Sequence, residues 1–440
     1  MISVAGVRGV VGTSFTPDIA LRFAAAFGNW CGRGAIVLGR DSRLSGPVIE
    51  AAVEAGLRGA GCDVIRLGIV STPTVQLLTK TLKAKGGIAI TASHNPTQWN
   101  ALKFVSSLGL FLSKEQGREV SSRFQSNDLR FADHAHLGSV RDYAGAIGDH
   151  VDHILKLSFL DGPSIRRRRF KVVLDTCHGA GGPIFALLLK KLGCEVISLH
   201  PEPDGRFSRP IEPLAKNLGE LERAVKRNRA DIGFATDADV DRLSIVSERG
   251  KAIGEEYSLA LAAKFMFSRK RGTAVANLST SRMIDDIARM YDSSVVRTPV
   301  GEANVAAAMK SHRAVIGGEG NGGIIIPELN FARDATAGIA LILQLLVSEK
   351  RNISQICADI PAYAMVKETV TIADPPRLLA LAKNHFSSAD IDGRDGYKFT
   401  FPDAWLHVRA SGTEPIVRLF AEARTRSEAV RLIEITKGLI

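Results

Sequence analysis

The sequence predicts three similar wound α/β domains plus a C-terminal α+β domain, and three observations carry that prediction. A chain of 440 residues exceeds what one core organises, since domains run to about 100–200 residues. Short apolar runs alternate with amphipathic stretches, the pattern of a parallel sheet with crossover helices, and this grammar occurs three times. From about Val366 it gives way to a strand, a helix, three further strands and a closing helix.

In the first unit, Thr16-Pro17-Asp18 opens a helix with an N-cap, a first-turn proline and a first-turn acid, running to about Gly28. The spacing then predicts a strand over 35–38, a helix over 47–58, a strand over 64–67, a helix over 73–83 and a strand over 87–91. The second unit has a strand over 171–174, a helix over 183–192 and strands over 195–199 and 231–235. The third has strands over 273–278, 294–297 and 314–316 with helices over 281–290 and 302–309. Strands over 397–401, 404–408 and 416–422 and a helix from Arg426 form the last domain. The expected divisions are 1–141, 142–253, 254–362 and 363–440.

Hydrophobic residues at 45% with charged residues at 23% describe a soluble globular chain with ample apolar surface to bury. The longest uncharged run, 335–348, falls short of the ~20 residues of a membrane span and reads as a buried helix. The first residues, MISVAGVRGVVG, lack the charged start and apolar block of a secretory signal, so a cytoplasmic protein without a membrane partner is expected. Cys31, Cys62, Cys177, Cys194 and Cys357 form no C-x-x-C pair, which argues against a disulfide frame or a zinc knuckle. A net charge of +11 fits nucleic acid, an anionic surface or small anionic substrates. The arginine run 166–169 has no interleaved aromatics to stack bases and reads as a solvated face, so no nucleic-acid partner is expected.

Ser93 follows the strand over 87–91 on a polar turn, T-A-S-H-N-P, with His94 beside it. Ligands of open α/β sheets bind outside the carboxyl ends of strands, so an exposed nucleophile and an ordinary hydrogen-bonded turn are both open readings. Asp237, Asp239 and Asp241 form D-A-D-V-D after an apolar strand, and alternate carboxylates there can converge on one hard cation, Mg²⁺ being the natural candidate. Without a cation three carboxylates in one short loop repel each other. An EF-hand is rejected, because Arg242 stands where that loop needs glycine, although Glu248 sits at its twelfth position.

Arg409 and Arg418 flank Ser411, Gly412 and Thr413, whose hydroxyls and amides suit a phosphate dianion. The loop G-G-E-G-N-G-G at 317–323 offers Glu319 and Asn321 to sugar hydroxyls, and G-A-G-G at 179–182 begins a helix, where such a run more often only permits close packing.

Together these segments resemble the α-D-phosphohexomutase superfamily over nearly the whole chain. The matching motifs are G-V-R-G at 6–9, L-G-R-D-S-R at 38–43, T-A-S-H-N-P at 91–96, D-A-D-V-D-R at 237–242, T-P-V-G-E-A-N-V at 298–305, E-G-N-G-G at 319–323 and R-A-S-G-T-E-P at 409–415. The resemblance implies four domains around a central cleft and an isomerase that interconverts hexose 6-phosphate and hexose 1-phosphate through a hexose 1,6-bisphosphate. It implies Ser93 as the phosphoserine, and Mg²⁺ held by Asp237, Asp239, Asp241 and an oxygen on Ser93. Arg8 and Lys103 would be active-site cations, with Lys103 or His94 assisting proton transfer and Arg242 beside them. Glu319 and Asn321 would hold the sugar, and Arg409, Ser411, Gly412, Thr413 and Arg418 its phosphate.

The chain departs from the family at Ala101, where glycine is usual, and at Ala410, where proline is usual. Asn321 and Gly323 stand where many members have serine and histidine, which leans toward phosphoglucosamine mutase or a broad phosphoglucose and phosphomannose enzyme. A Mg²⁺-dependent sugar phosphatase and a non-catalytic phosphosugar binder are the alternatives, and monomer or homo-oligomer stays open.

Overall fold

The computed structural model describes residues 2–3, 6–411 and 416–439. Its three α/β units share one four-strand plan. In the first, Ala35–Arg40 lies between two parallel neighbours, Asp63–Ile69 and Gly86–Ile90, and Trp99–Ser106 runs antiparallel beyond the latter. In the second, Lys171–Asp175 lies between Glu195–Leu199 and Ile232–Thr236, with Leu243–Ser247 antiparallel beyond. In the third, Thr273–Asn277 lies between Ser294–Thr298 and Ile316–Glu319, with Gly323–Ile325 antiparallel beyond. The first sheet extends to seven strands by adding Gly6–Val10, Ile2–Ser3 and Val140–Asp142 at its edges.

The sheets are therefore mixed, which corrects the parallel reading. A parallel crossover needs a dozen or more residues. The connections from Ile90 to Trp99, from Thr236 to Leu243 and from Glu319 to Gly323 are shorter, so the fourth strand returns beside the third. The third strand of the last unit also reaches further than the expected 314–316. Gly318 looks like a strand breaker, yet a Cβ there would lie 2.0 Å from the Gly323 carbonyl oxygen, so the close hairpin requires glycine.

The last domain is a five-stranded antiparallel sheet, Ala364–Thr371, Ile416–Ala423, Ala404–Ala410, Tyr397–Thr400 and Asp390–Asp392 in spatial order. The helices Pro375–His385 and Arg426–Lys437 cover one of its faces, where Leu378, Ala382, Ala429 and Ile433 meet Leu406, Val408, Val417 and Leu419.

Ala335–Glu349 is the buried helix expected from its apolar run. It joins the cores of the second and third units into one cluster, to which Leu341 and Leu345 belong together with Leu188 and Leu259. Among the described residues no helix is long and apolar enough to cross a membrane. The arginine run closes the helix Gly162–Arg168, with Arg169 left-handed at φ 49° and Arg168 paired to Asp231 at 2.9 Å. Cations at a helix C-terminus oppose the negative end of its dipole, which accounts for the run. A Cβ on Gly182 would lie 1.9 Å from the Pro201 carbonyl oxygen, so the 179–182 glycines serve close packing.

Candidate active site

The turn between third and fourth strands carries sequence-predicted site residues in every α/β unit. In the first it holds Ser93, whose backbone is left-handed at φ 50°, a conformation costing of order 1–3 kcal/mol for a non-glycine residue and concentrated at functional sites. The Ser93 N–H donates to Thr91 Oγ1 at 2.9 Å, and its Oγ donates to Asp237 Oδ2 at 2.9 Å and lies 3.3 Å from His94 Nδ1.

The turn is fastened from below by Arg43, a fully buried arginine. Its Nη2 donates to the carbonyls of Ser93 and Asn95, both at 2.7 Å, and its Nη1 to those of Pro96 and Trp99 at 2.8 and 3.0 Å. Nε donates to Asp41 Oδ2 at 3.1 Å, and that oxygen also accepts from Thr91 Oγ1 at 2.6 Å.

In the second unit the same turn holds Asp237, Asp239 and Asp241, all fully buried, with one oxygen of each within 4.8 Å of the others. Asp239 Oδ2 accepts from Lys103 Nζ at 2.7 Å and from Thr72 Oγ1 at 2.6 Å. Asp241 Oδ2 accepts from Arg333 Nη2 at 2.6 Å. Asp239 Oδ1 and Asp241 Oδ1 are buried with no hydrogen-bond partner, and orphaned carboxylate oxygens at this spacing are what a hard cation takes.

Burial and then the charges of Asp241 and Asp239 push the Asp237 carboxyl well above its ordinary range. Burial lowers Lys103, but the carboxylates of Asp239 and Asp241 more than offset it, so the ammonium stays charged. Burial, Arg242 and Lys103 hold His94 well below the ordinary imidazole range, so it is neutral at pH 7.

The hairpin of the third unit places Glu319 and Asn321. Glu319 Oε1 accepts from Asn277 Nδ2 at 2.7 Å and from the Gly301 N–H at 3.0 Å. Arg333 Nη1 reaches Glu319 Oε2 at 2.9 Å and Asn321 Oδ1 at 3.5 Å. From the last domain Arg409 joins through Asp395, whose Oδ1 accepts from Arg409 Nε at 2.7 Å and whose Oδ2 accepts from the Val300 N–H at 2.9 Å. Arg418 pairs across the sheet with Arg409, and the Ser411 N–H donates to the Ile416 carbonyl at 2.9 Å. Gly412 and Thr413 lie outside the described residues.

Arg8, Ser93, His94, Lys103, Arg242 and Arg333 line one cavity of about 210 Å³. Four family models, described as the α/β/α domains I, II and III and the C-terminal domain of phosphoglucomutase/phosphomannomutase, match residues 2–131, 148–250, 254–363 and 359–436 in that order. The chain belongs to the phosphoglucomutase/phosphomannomutase family, within the α-D-phosphohexomutase superfamily.

Within this family it is 38% identical to a Methanopyrus kandleri protein named "Probable phosphoglucosamine mutase", over 97% of this chain and 94% of that one. It is 36% identical to a Thermococcus kodakarensis protein named "Phosphoglucomutase/phosphomannomutase", over 98% and 96%. The crystal structure of a Burkholderia thailandensis protein of the phosphoglucomutase/phosphomannomutase family superposes with a TM-score of 0.86 at 26% identity, covering 100% of this chain and 97% of that one.

Sequence reading of this phosphoglucomutase/phosphomannomutase family member missed roles for Arg43, Thr72, Arg333 and Asp395. Arg43 stands in the 38–43 motif, where its burial could not be read, and Thr72 and Arg333 stand in no motif. Asp395 lies in the turn G-R-D-G, which reads as a loop.

Proposed function

We propose that the protein is a phosphohexomutase interconverting hexose 6-phosphate and hexose 1-phosphate through a phosphoserine at Ser93. The observation that carries this is the 2.9 Å bond between Ser93 Oγ and Asp237, which sets a strained serine on a buried carboxylate triad. The orphaned oxygens of Asp239 and Asp241 and the all-oxygen donor set fit Mg²⁺. Asp237, Asp239, Asp241 and an oxygen on Ser93 would hold that ion, which when bound neutralises phosphoryl oxygens.

In the forward half-reaction the bond between phosphorus and Ser93 Oγ breaks, a bond to the free sugar hydroxyl forms, and the proton of that hydroxyl passes to the Ser93 Oγ set free. Neutral His94, whose Nδ1 lies 3.3 Å from Ser93 Oγ, would relay that proton, while Lys103, Arg8 and Arg242 would supply positive charge where phosphoryl oxygens gather. The hexose 1,6-bisphosphate then turns over and returns its other phosphoryl to Ser93, a trace of it serving as activator. Glu319 and Asn321 would hold sugar hydroxyls, and Arg409, Ser411, Gly412, Thr413 and Arg418 the distal phosphate, whichever end it is on. The division into four units at 141, 253 and 362 belongs to the same proposal. The names of the relatives at 38% and 36% identity support glucosamine phosphate, or glucose and mannose phosphates together, as substrates.

A coupled mutase assay with Mg²⁺ and a trace of hexose 1,6-bisphosphate, run on glucosamine, glucose and mannose phosphates, tests this. Conversion of at least one sugar, abolished in Ser93→Ala with the far-UV circular dichroism unchanged, is the expected result. Phosphate release without isomerisation, or full activity in Ser93→Ala, would refute it.

A further inference from the structure

Arg333 stands in none of the sequence motifs, yet its guanidinium bonds three carboxylates around the cleft. Its Nε donates to Glu302 Oε2 at 2.9 Å, Nη1 to Glu319 Oε2 at 2.9 Å and Nη2 to Asp241 Oδ2 at 2.6 Å. One guanidinium, 8% exposed, is thus shared by the acidic turn of the second unit and by two loops of the third. Glu302 is held in turn by Gln76 Nε2 of the first unit at 2.9 Å.

The backbone beneath is fixed as well. Asp334 caps the helix Ala335–Glu349 by accepting from the Thr336 and Ala337 N–H groups at 2.8 and 3.1 Å, and its Oδ2 lies 2.7 Å from His150 Nε2. His150 Nδ1 lies 2.7 Å from Thr74 Oγ1. The arginine therefore springs from a capped helix start at the junction of three units.

By Coulomb's law a guanidinium beside a cation site weakens cation binding, so Arg333 must contribute something other than its charge. That contribution is visible in Asp241, where Arg333 occupies Oδ2 and leaves Oδ1 without a hydrogen-bond partner. The carboxylate is held by one oxygen and presents the other.

We propose that Arg333 is a positioning residue for both halves of the reaction chamber. Gripping Asp241 and Glu319 with two nitrogens of one rigid plane, it fixes the offset between the cation-holding turn and the sugar-holding hairpin. The sugar half rests on the phosphohexomutase reading; the cation half rests on the triad geometry alone.

The test uses the full chain with Arg333→Lys, which keeps the charge and loses the planar fork. Mn²⁺ is titrated by electron paramagnetic resonance without substrate, and glucose 1-phosphate and glucosamine 1-phosphate by calorimetry without metal. Removing an outer partner of a metal ligand typically costs about 10- to 100-fold in affinity, and a Mn²⁺ affinity lowered by that much is expected together with weaker phosphosugar binding. Lys264→Met breaks another ion pair, that of the buried Lys264 with the half-buried Glu349 at 2.8 Å, and is expected to lower Tm while leaving both affinities unchanged.

Unchanged or tighter Mn²⁺ binding overturns the proposal, and so does weaker Mn²⁺ binding with phosphosugar binding intact. A wild-type protein that binds neither phosphosugar would sink the phosphohexomutase reading, with the Mn²⁺ arm still deciding the cation half. Should Arg333→Lys not fold, Arg333→Gln with Glu302→Gln removes one buried charge of each sign and takes its place in the same titrations.

Discussion

Arg43 shows how a residue outside the chemistry fixes its geometry. All five of its N–H directions end on oxygen, four of them on carbonyls of the turn that carries Ser93. A buried charge that loses its partner typically costs about 3–5 kcal/mol. Arg43→Met, which strands Asp41 and four carbonyls, should lower unfolding free energy by about that much in a denaturant titration. A loss below about 1 kcal/mol would show that water takes over the same oxygens. The candidate site residues Ser93, Asp237, Asp239 and Asp241 could be picked out in the sequence, because a serine after a buried strand and carboxylates at alternate positions are chemical types at short spacing. Arg333 could not, since its partners lie 14, 31 and 92 residues away and nothing local marks it.

At the scale of elements, the same hairpin turn recurs in three units, each time carrying candidate site residues. The sequence announced the repetition through its alternating grammar but not the antiparallel return, because a short apolar run reads alike in either direction. The turn of the third unit is the tightest of the three. Gly322 has φ 92°, and a Cβ there would lie 2.5 Å from the Leu243 carbonyl oxygen of the second unit. Backbone strain of that kind costs about 1–3 kcal/mol, and the contact must also open. Gly322→Ala is expected to raise KM for the phosphosugar and to lower kcat with it, because Asn321 is displaced and the Leu243 backbone that must give way lies two residues past Asp241. Steady-state kinetics on the variant decide this, and a fall in kcat at unchanged KM would contradict it.

On the scale of the whole molecule, the last domain docks on the third unit through a buried charged group. Lys398 Nζ donates to the Leu278 carbonyl at 2.7 Å and lies 4.4 Å from the centre of the Trp405 ring. Burial, with Arg297 nearby, brings the Lys398 ammonium down from 10.5 to about 7. The folded state thus binds fewer protons than the unfolded chain between about 7 and 10.5. The stability this lysine contributes is fully present above 10.5 and lost as pH falls through about 7. Lys398→Met should therefore gain in Tm relative to wild type as pH falls from 10 to 6, read by scanning calorimetry. A difference that does not vary with pH would mean the ammonium is not desolvated when the domains are docked. Nothing in the sequence foretold this, since a lysine in a strand ordinarily marks a solvent face.

The fastening of the Ser93 turn bears on what kind of molecule can block the cleft. A nucleophile tied to the sheet through four carbonyls cannot travel to meet a second phosphate, so in the proposed cycle the ligand alone must reverse. A monophosphate whose phosphate and free hydroxyl sit on arms too unlike in length to exchange places would take the phosphoryl group once, and the bisphosphate so formed would never return one. Such a compound should empty the serine in a single turnover and leave it empty, so that inhibitor design here becomes a question of ligand length more than of added charge.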